Sequence, residues 1–401
     1  MRDRAKRRRL NSDDTSPPPE TIIDKSSWNG FCEIESEPAS FNVMLREFGV
    51  EGVRVQELFS LDESTKPVYG FIFLFRWHED NPEKQEASCP EGLWFANQTA
   101  DNACASVALL NIVNNIDDIT LGDTLASFKD FTMPFTPALR GDAIANFEFI
   151  KRIHNSFARS MDILNSDLSL KDEVLASKSK RQNDNSASNE AAFHFIAFVP
   201  ALGRLWKFDG LERQPQDLAP CTDDDWLDQV RFHLIEKMTA YEEDQIEFSV
   251  LSLVRDPLRD YTEQLARNVR SLQNIRQRLN GSQLEDIKAV LGADGFDGVL
   301  LDADPALGLT EESLMAVETP ESGNGIHEND LPQEYVRLAN SQQGIKTSIQ
   351  VEMQSRRDEE ASVEVRRHDC SSAVEFWARA LASKGVVQDI LRSIEEKDKK
   401  Q

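Results

Sequence analysis

The apolar residues in the first part of the chain switch between helical and strand spacing. Between positions 41 and 48 they recur at steps of three and four and stop at Gly49, which predicts a short helix. Side chains alternate between apolar and polar over 53–58, and 68–77 is a nearly continuous apolar and aromatic run. We therefore predict two strands, the second buried on both faces at the centre of a sheet.

A buried helix is predicted where a polar stretch meets an apolar one. Residues 107–113 are apolar almost all round, and Cys104 stands at the junction, after Asp101 and Asn102. Either of those two residues can cap the helix. Backbone N–H groups and the helix dipole at such a start favour the thiolate, which is the nucleophilic form of cysteine. A small cysteine buried in a core helix fits the same pattern, so this segment alone leaves both interpretations open.

The second part of the folded region is predicted to return to the sheet. Residues 193–199 and 205–208 read as the two strands of a hairpin, 226–241 as an amphipathic helix and 246–254 as a last strand. The polar, low-complexity stretch 164–192 cannot contribute to a core and precedes this hairpin. Strands and helices mixed in this way predict an α+β fold.

The remaining C-terminal part is predicted to be helical at both ends. Asp256 followed by proline begins a long helix with one narrow apolar stripe, which needs a partner surface. Residues 282–337 carry thirteen acidic residues against two basic ones, a net of eleven negative charges, and we interpret them as an acidic linker. Helical spacing then returns, and Phe376 and Trp377 on this polar tail predict a binding face.

Composition narrows the classes of function. Among the 401 residues, 45 are basic and 70 acidic, and a net charge of −25 disfavours binding to nucleic acid or an anionic membrane. The five cysteines are scattered without metal-ligand spacing, so we expect no disulfide framework and no zinc site. The sequence contains no run of about 18 apolar residues, so no membrane span is predicted. We expect a soluble intracellular protein. Six basic residues lie within 2–9, and Lys6 to Arg9 among them suit a nuclear-import signal or a solvated tail equally well.

Four polar residues at predicted element boundaries fit the roles of thiol catalysis. A cysteine nucleophile needs an imidazole as base, the imidazole needs a carboxylate that orients it, and the oxyanion needs amide donors. Cys104, His194, Asp209 and Gln98 supply one group for each role. A structural histidine and a simple Asp-Gly turn explain the same residues, so their chemistry alone does not decide the question.

Five motifs in order carry a resemblance to a known family: WFANQ, NACAS, HNSFAR, FHFIAFVP and LWKFDGL. With VYGFIFLFRW and FGVEGVRVQELFSLDES upstream, residues 28–254 resemble the ubiquitin C-terminal hydrolases, a family of cysteine deubiquitinases. The resemblance implies a papain-like cysteine protease fold with a central antiparallel sheet flanked by helices, plus a C-terminal helical extension. The tail motifs VRRHDC and VEFWARAL resemble the proteasome-associated branch, in which a C-terminal helical segment docks on a ubiquitin receptor of the regulatory particle.

The resemblance also assigns roles to individual residues. It makes Cys104 the nucleophile, His194 the general base and acid, Asp209 the residue that orients His194, and Gln98 the oxyanion donor, with no cofactor and no metal. It makes about 164–192 the crossover loop that spans the active site; here that loop is longer and more polar than expected, which puts a limit on leaving-group size in doubt. His154 and Asn155, within HNSFAR, are expected to be structural.

The expected protein is therefore a deubiquitinating thiol protease that forms a thioester with ubiquitin and is recruited to the proteasome, in cytoplasm and nucleus. A histone deubiquitinase on chromatin and a ubiquitin-binding scaffold that stays latent until a partner activates it are the alternatives. The expected organisation is a disordered basic arm (1–26), a catalytic domain (27–255), a long amphipathic helix (256–281), an acidic linker (282–345) and a helical partner-binding segment (346–401).

Overall fold

The computed structural model describes residues 28–58, 67–76, 82–163, 193–243, 248–317 and 327–386. The basic arm 1–26, the crossover loop expected at about 164–192 and residues 387–401 of the expected partner-binding segment lie outside these ranges.

The centre of the fold is a six-stranded antiparallel sheet in the order β1-β6-β2-β3-β4-β5. The strands are β1 Val53–Glu57, β2 Val68–Arg76, β3 Phe193–Ala201, β4 Arg204–Asp209, β5 Gln216–Pro220 and β6 Ser249–Arg255. All the strands predicted from the sequence are present. The pattern missed β5, because this half-buried edge strand lacks a regular alternation of apolar and polar residues.

Helices cover both faces of the sheet. They are α1 Pro38–Phe48, α2 Cys104–Val113, α3 Asp123–Thr132, α4 Pro137–Asn146, α5 Glu148–Asn155 and α6 Trp226–Glu243. Phe73 of β2 packs with Trp226 and Val230 of α6 on one face, whereas Ile72 belongs to the core formed with α1 and α2 on the other. The prediction that β2 is buried on both faces is confirmed, and so is the α+β class.

A helical extension follows β6 and packs on itself. Its helices are α7 Pro257–Arg278, α8 Gly281–Asp297, α9 Glu311–Ala316, α10 Leu331–Arg367 and α11 Ser371–Ser383. The Asp256 side chain accepts the N–H of Leu258 at 3.0 Å and so caps α7, as predicted. The apolar stripe of α7 finds its partner within the same chain, because Leu272 and Ile275 are buried against Leu331 and Tyr335 of α10.

The prediction of an acidic linker over 282–345 is wrong for the described part of that range. Asn280 and Gln283 form a capping box that begins α8, and Ile287, Leu307 and Leu314 are buried against the rest of the extension. The acidic residues of α8 lie on its exposed side, so they coexist with a packed apolar face. The helix expected from 346 begins fifteen residues earlier, at Leu331.

The second half of α10 lies against the part of the chain that contains the sheet. Val363 is buried in the core that contains α1 and α2, and Arg54 of β1 forms ion pairs with Glu352 and Glu359 of α10. Arg367 stacks on the ring of Phe157 at 4.7 Å. Within the described ranges no helix has the length and apolar content that crossing a membrane requires.

Candidate active site

Cys104 is the first residue of α2, and no side chain caps that helix. The residue before it, Ala103, occupies the N-cap position and makes no side-chain hydrogen bond, so the expectation that Asp101 or Asn102 caps the helix is wrong. Asn102 instead turns the chain into the helix with a positive φ of 60°, a conformation that asparagine tolerates better than most residues. The first backbone N–H groups of α2 therefore have no side-chain acceptor, and they can stabilise negative charge beside Cys104.

The hairpin β3–β4 brings His194 and Asp209 together. Ile196 is the direct cross-strand partner of Asp209, so His194 lies two positions away on the same face of the hairpin. His194 Nε2 donates to Asp209 Oδ1 at 2.7 Å, and the two residues are only 4% and 2% exposed. A buried, charge-assisted hydrogen bond of this kind fixes the orientation of the imidazole.

The Cys104 thiol is the second hydrogen-bond partner of His194. Burial alone lowers the pKa of His194, but hydrogen bonds to Asp209 and Cys104 outweigh it and raise this pKa to about 9. Burial likewise favours a higher pKa for Asp209, and the hydrogen bonds from His194 and from the N–H of Leu211, with the charge of Lys207, hold it below its usual value. At neutral pH the site therefore holds a protonated imidazole beside an ionised carboxylate.

Gln98 lies against the turn that follows Asp209. Its backbone N–H donates to the carbonyl of Gly210 at 2.8 Å, and a Cβ at position 210 would stand 3.1 Å from this nitrogen. Among the described residues, the buried Oε1 atom of Gln98 has no hydrogen-bond partner. The structure thus brings Cys104, His194 and Asp209 into one hydrogen-bonded line and joins the backbone of Gln98 to the turn at its end.

Asn111 of α2 and Asn115, two residues past its end, hold the segment that leads to Gln98. Asn111 accepts the N–H of Ala96 at 2.8 Å and donates to its carbonyl at 3.2 Å. Asn115, one turn later, makes the same pair of bonds to Trp94, at 2.9 and 2.7 Å. Each amide thereby hydrogen-bonds the backbone as a neighbouring strand would, and the pair fixes the extended segment along α2.

Arg140 holds the same segment from the other side. Its Nη1 donates to the carbonyls of Leu93 and Phe95, at 3.0 and 3.2 Å, and its Nε donates to Thr132. Sequence reasoning missed Asn111, Asn115 and Arg140. The two asparagines recur at a spacing of four along and just after an apolar helix, which is a periodicity usually assigned to a solvent face. Arg140 gives no such signal.

A glycine permits the approach of α4 to this segment. A Cβ added at Gly141 would lie 2.2 Å from the carbonyl oxygen of Asn97, which is closer than any side chain can come. The N–H of Asn97 donates to the Pro137 carbonyl at 3.0 Å at the start of the same helix. The position of the residue next to Gln98 therefore depends on direct backbone contact with α4.

His154 and Asn155 connect α2 to the beginning of the described chain. His154 Nε2 donates to the carbonyl of Cys32 at 2.7 Å, and its Nδ1 accepts the hydroxyl of Ser106 at 2.8 Å. Asn155 accepts the N–H of Cys32 at 3.1 Å and donates to the carbonyl of Gly30 at 2.9 Å. Both residues are linked to backbone and hydroxyl groups outside the triad, as a structural role requires.

Comparison with known proteins gives one family. The model of the family described as ubiquitin carboxyl-terminal hydrolase, family 1, matches residues 31–240. The ubiquitin carboxyl-terminal hydrolase isozyme L5 of Dictyostelium discoideum is 36% identical over 58% of this chain, and the matched part spans 64% of that relative, less than two thirds of its length. The hydrolase ubh-4 of Caenorhabditis elegans is 33% identical over 66% of this chain and 76% of its own.

A further relative and a solved structure are similar over the same region. The hydrolase BAP1 of Gallus gallus is 34% identical over 59% of this chain and 35% of its own length. A crystal structure of Trichinella spiralis UCH37 bound to ubiquitin vinyl methyl ester has 33% sequence identity and covers 59% of this chain and 87% of its own, with a TM-score of 0.47.

Proposed function

Because the chain belongs to family 1 of the ubiquitin carboxyl-terminal hydrolases, which are cysteine peptidases, we propose that it is a deubiquitinating thiol protease. Its substrates are peptide, isopeptide or ester bonds that follow the C-terminal glycine of ubiquitin. The observation that carries the proposal is the hydrogen-bonded group Cys104–His194–Asp209 at the uncapped start of α2, with Cys104 partly buried and the other two residues buried. No cofactor takes part in the proposed reaction.

The first step is attack by the Cys104 thiolate on the carbonyl carbon of the terminal glycine. The carbonyl oxygen becomes an oxyanion, which accepts hydrogen bonds from the side-chain amide of Gln98 and from the N–H of Cys104. His194 holds the proton that the thiol has given up, and Asp209 stabilises the resulting imidazolium. The raised pKa of His194 supports this division of charge.

The second step releases the leaving group and then ubiquitin. His194 gives its proton to the departing lysine amine, and a thioester between Cys104 and ubiquitin remains. His194, now neutral, takes a proton from water, and the resulting hydroxide attacks the thioester carbonyl. The thiolate leaves, and the free C-terminus of ubiquitin and the starting enzyme are restored.

We further propose that the helical extension recruits the enzyme to the proteasome through a ubiquitin receptor of the regulatory particle. Support comes from the tail motifs and from α11, whose Phe376 and Trp377 are 70% and 69% exposed. The protein would then work in cytoplasm and nucleus. Two other candidates are a histone deubiquitinase on chromatin, which the basic residues 2–9 favour, and a latent ubiquitin-binding scaffold, which the exposed α11 favours because an activating partner has a place to bind.

Labelling with ubiquitin vinyl methyl ester tests the proposed chemistry. We expect the full-length chain to form a covalent adduct at Cys104 and Cys104→Ala to lose both labelling and hydrolysis while it still binds ubiquitin. Cys370→Ala, which removes an exposed cysteine, is the matched control and should react like the wild type. Hydrolysis retained by Cys104→Ala would contradict the proposal, and labelling that requires an added partner would favour the latent scaffold.

A further inference from the structure

A buried ion pair flanks the carboxylate that orients the imidazole. Lys207 lies on β4 two residues before Asp209, and Glu212 lies three residues after it. Lys207 Nζ donates to Glu212 Oε1 at 2.9 Å, and the two residues are only 3% and 9% exposed. Since side chains alternate along a strand, Lys207 and Asp209 project from the same face of β4.

The turn 209–212 between these two charged residues positions the backbone of Gln98 as well as Asp209. The N–H of Glu212 closes the turn on the Asp209 carbonyl at 3.0 Å, and the N–H of Leu211 donates to Asp209 Oδ1 at 3.0 Å. On its other side, the carbonyl of Gly210 accepts the N–H of Gln98. A shift of this turn therefore moves both the carboxylate beside His194 and the backbone of Gln98.

Asn97 adds a second connection between the same two regions. Its Nδ2 donates to the carbonyl of Glu212 at 2.6 Å. Glu212 is thus held through its side chain by Lys207 and through its carbonyl by Asn97, directly before Gln98 in the chain. The ion pair adds a side-chain bond between the end of this turn and the strand that bears Asp209.

Stability alone gives little reason for an ion pair at this place. Burying two charges costs a large desolvation energy, and well-packed apolar residues of similar volume are often as stabilising or more so. An ion pair fixes the distance and direction between two particular atoms, whereas an apolar contact does not. The positive charge of Lys207 also faces the Asp209 carboxylate and helps to hold its pKa low.

We propose that Lys207 and Glu212 are a positioning pair for the proposed hydrolysis: their ion pair fixes the turn 209–212, and through it the placement of Asp209 beside His194 and of the Gln98 backbone that is bonded to Gly210. The inference rests on the proposed function. Neither residue touches the reacting atoms; each acts through the turn.

The test compares three double variants of the full-length chain. Lys207→Met/Glu212→Leu removes the ion pair without leaving a lone buried charge. Lys207→Glu/Glu212→Lys exchanges the two charges and keeps a pair across the turn. Arg204→Met/Asp217→Leu is the matched control, because it removes another ion pair of the same strand that does not contact the turn. Each is assayed for melting temperature, for kcat and KM on a fluorogenic ubiquitin C-terminal amide between pH 5 and 10, and for labelling by ubiquitin vinyl methyl ester.

We expect the Met/Leu variant of the pair to melt near the wild type but to lose roughly 10-fold to 100-fold in kcat, with KM nearly unchanged, since misplacement of catalytic groups acts on the chemical step. The charge-exchanged variant should regain most of kcat at neutral pH. Its acidic limb should move to higher pH, because a carboxylate then faces Asp209 from position 207 and raises the pKa of Asp209. The Arg204→Met/Asp217→Leu control should keep the wild-type profile.

A Met/Leu variant with wild-type kcat and pH profile would overturn the inference, as would an equal loss in the control. If the Met/Leu variant does not fold, the charge-exchanged variant decides: recovered kcat supports the positioning role, and a folded protein without recovery overturns it. Failure of the wild type to react at Cys104 would instead overturn the proposed function, and the inference with it.

Discussion

The imidazole of His154 is fully buried between two uncharged partners, the hydroxyl of Ser106 and the carbonyl of Cys32. Burial lowers the pKa of His154 to about 4, although the hydrogen bond to the Cys32 carbonyl acts in the opposite direction. In the unfolded chain the same group titrates near its ordinary pKa of about 6.5. Unfolding below that pH therefore takes up a proton.

This difference predicts a loss of stability in mild acid. Because the unfolded state binds more protons between about pH 6.5 and 4, the His154 contribution is fully present above this window and declines as the pH falls through it. We expect the free energy of unfolding to decrease by about 2 kcal/mol more between pH 7 and pH 5 in the wild type than in His154→Gln. Glutamine keeps one donor and one acceptor and does not titrate.

Urea unfolding of the two proteins at both pH values measures the effect. Carboxylates that are common to both proteins contribute equally, so their acid response cancels in the comparison. An identical pH dependence in wild type and variant would contradict the neutral, buried state of His154.

Among the helices, α2 carries Cys104, the proposed nucleophile, and Asn111, which supports the segment beside it. Asn111→Ala would leave the N–H and the carbonyl of Ala96 buried without partners, which is expected to cost about 2 kcal/mol of stability. Labelling of Cys104 by ubiquitin vinyl methyl ester should slow as well, since the segment 94–98 is no longer fixed along α2.

The matched control is Asn114→Ala at the C-cap of the same helix. The side chain of Asn114 is buried and has no hydrogen-bond partner among the described residues, so its removal leaves no backbone group unsatisfied. Chemical denaturation and the labelling rate are measured for both variants. If Asn114→Ala costs as much as Asn111→Ala, the effect comes from loss of volume in the core and not from the lost hydrogen bonds.

In the helical extension, a segment of acidic composition is held in place by a buried glutamine and is not a linker. Gln342 of α10 is only 1% exposed and accepts the N–H of Leu300 at 2.7 Å. Its Nε2 donates to the carbonyl of Leu300 at 2.9 Å and to the side chain of Asn268 on α7 at 3.0 Å. The irregular segment around Leu300 is thereby fixed between two helices. Nothing in the local sequence indicates these partners, which lie 42 and 74 residues from Gln342.

At the scale of the whole chain, one helix of the extension packs against the sheet-containing part and the last helix is exposed. Ion pairs from Arg54 to Glu352 and Glu359, together with buried Val363, fix α10. Beyond it, none of the residues of α11 is buried. If α11 docks the proposed receptor, Phe376→Ala/Trp377→Ala should lower co-purification with proteasome regulatory particles by about 10-fold or more and leave hydrolysis by the free enzyme unchanged.

Phe232→Ala on α6 is the control for this prediction, because Phe232 is equally exposed, at 68%, on the catalytic part. It should leave co-purification intact. Recovery of chromatin-bound subunits in place of proteasome would favour the histone deubiquitinase. Unchanged recovery of proteasome with the α11 variant would contradict the proposed docking surface.

The sequence predicted most of the elements that place the site, because their signals are local. The stop at Gly49, the apolar run of β2, the hairpin around Gly203 and the Asp256 cap of α7 each depend on neighbouring residues. The roles given to Cys104, His194, Asp209 and Gln98 came from motifs in a fixed order and remain predictions, although the structure brings the first three into contact.

Long-range contacts decided the rest. The amides that hold Trp94 and Ala96, the Lys207–Glu212 pair, the packed extension and the free cap position before Cys104 all depend on partners that the chain supplies from elsewhere. A polar residue in an apolar helix has the same local sequence pattern whether its side chain is solvated or bonds a distant backbone group. The same holds for an acidic stretch, whether it is solvated or packed. Only the folded chain specifies which of these occurs, because burial removes water and makes each unpaired polar group costly.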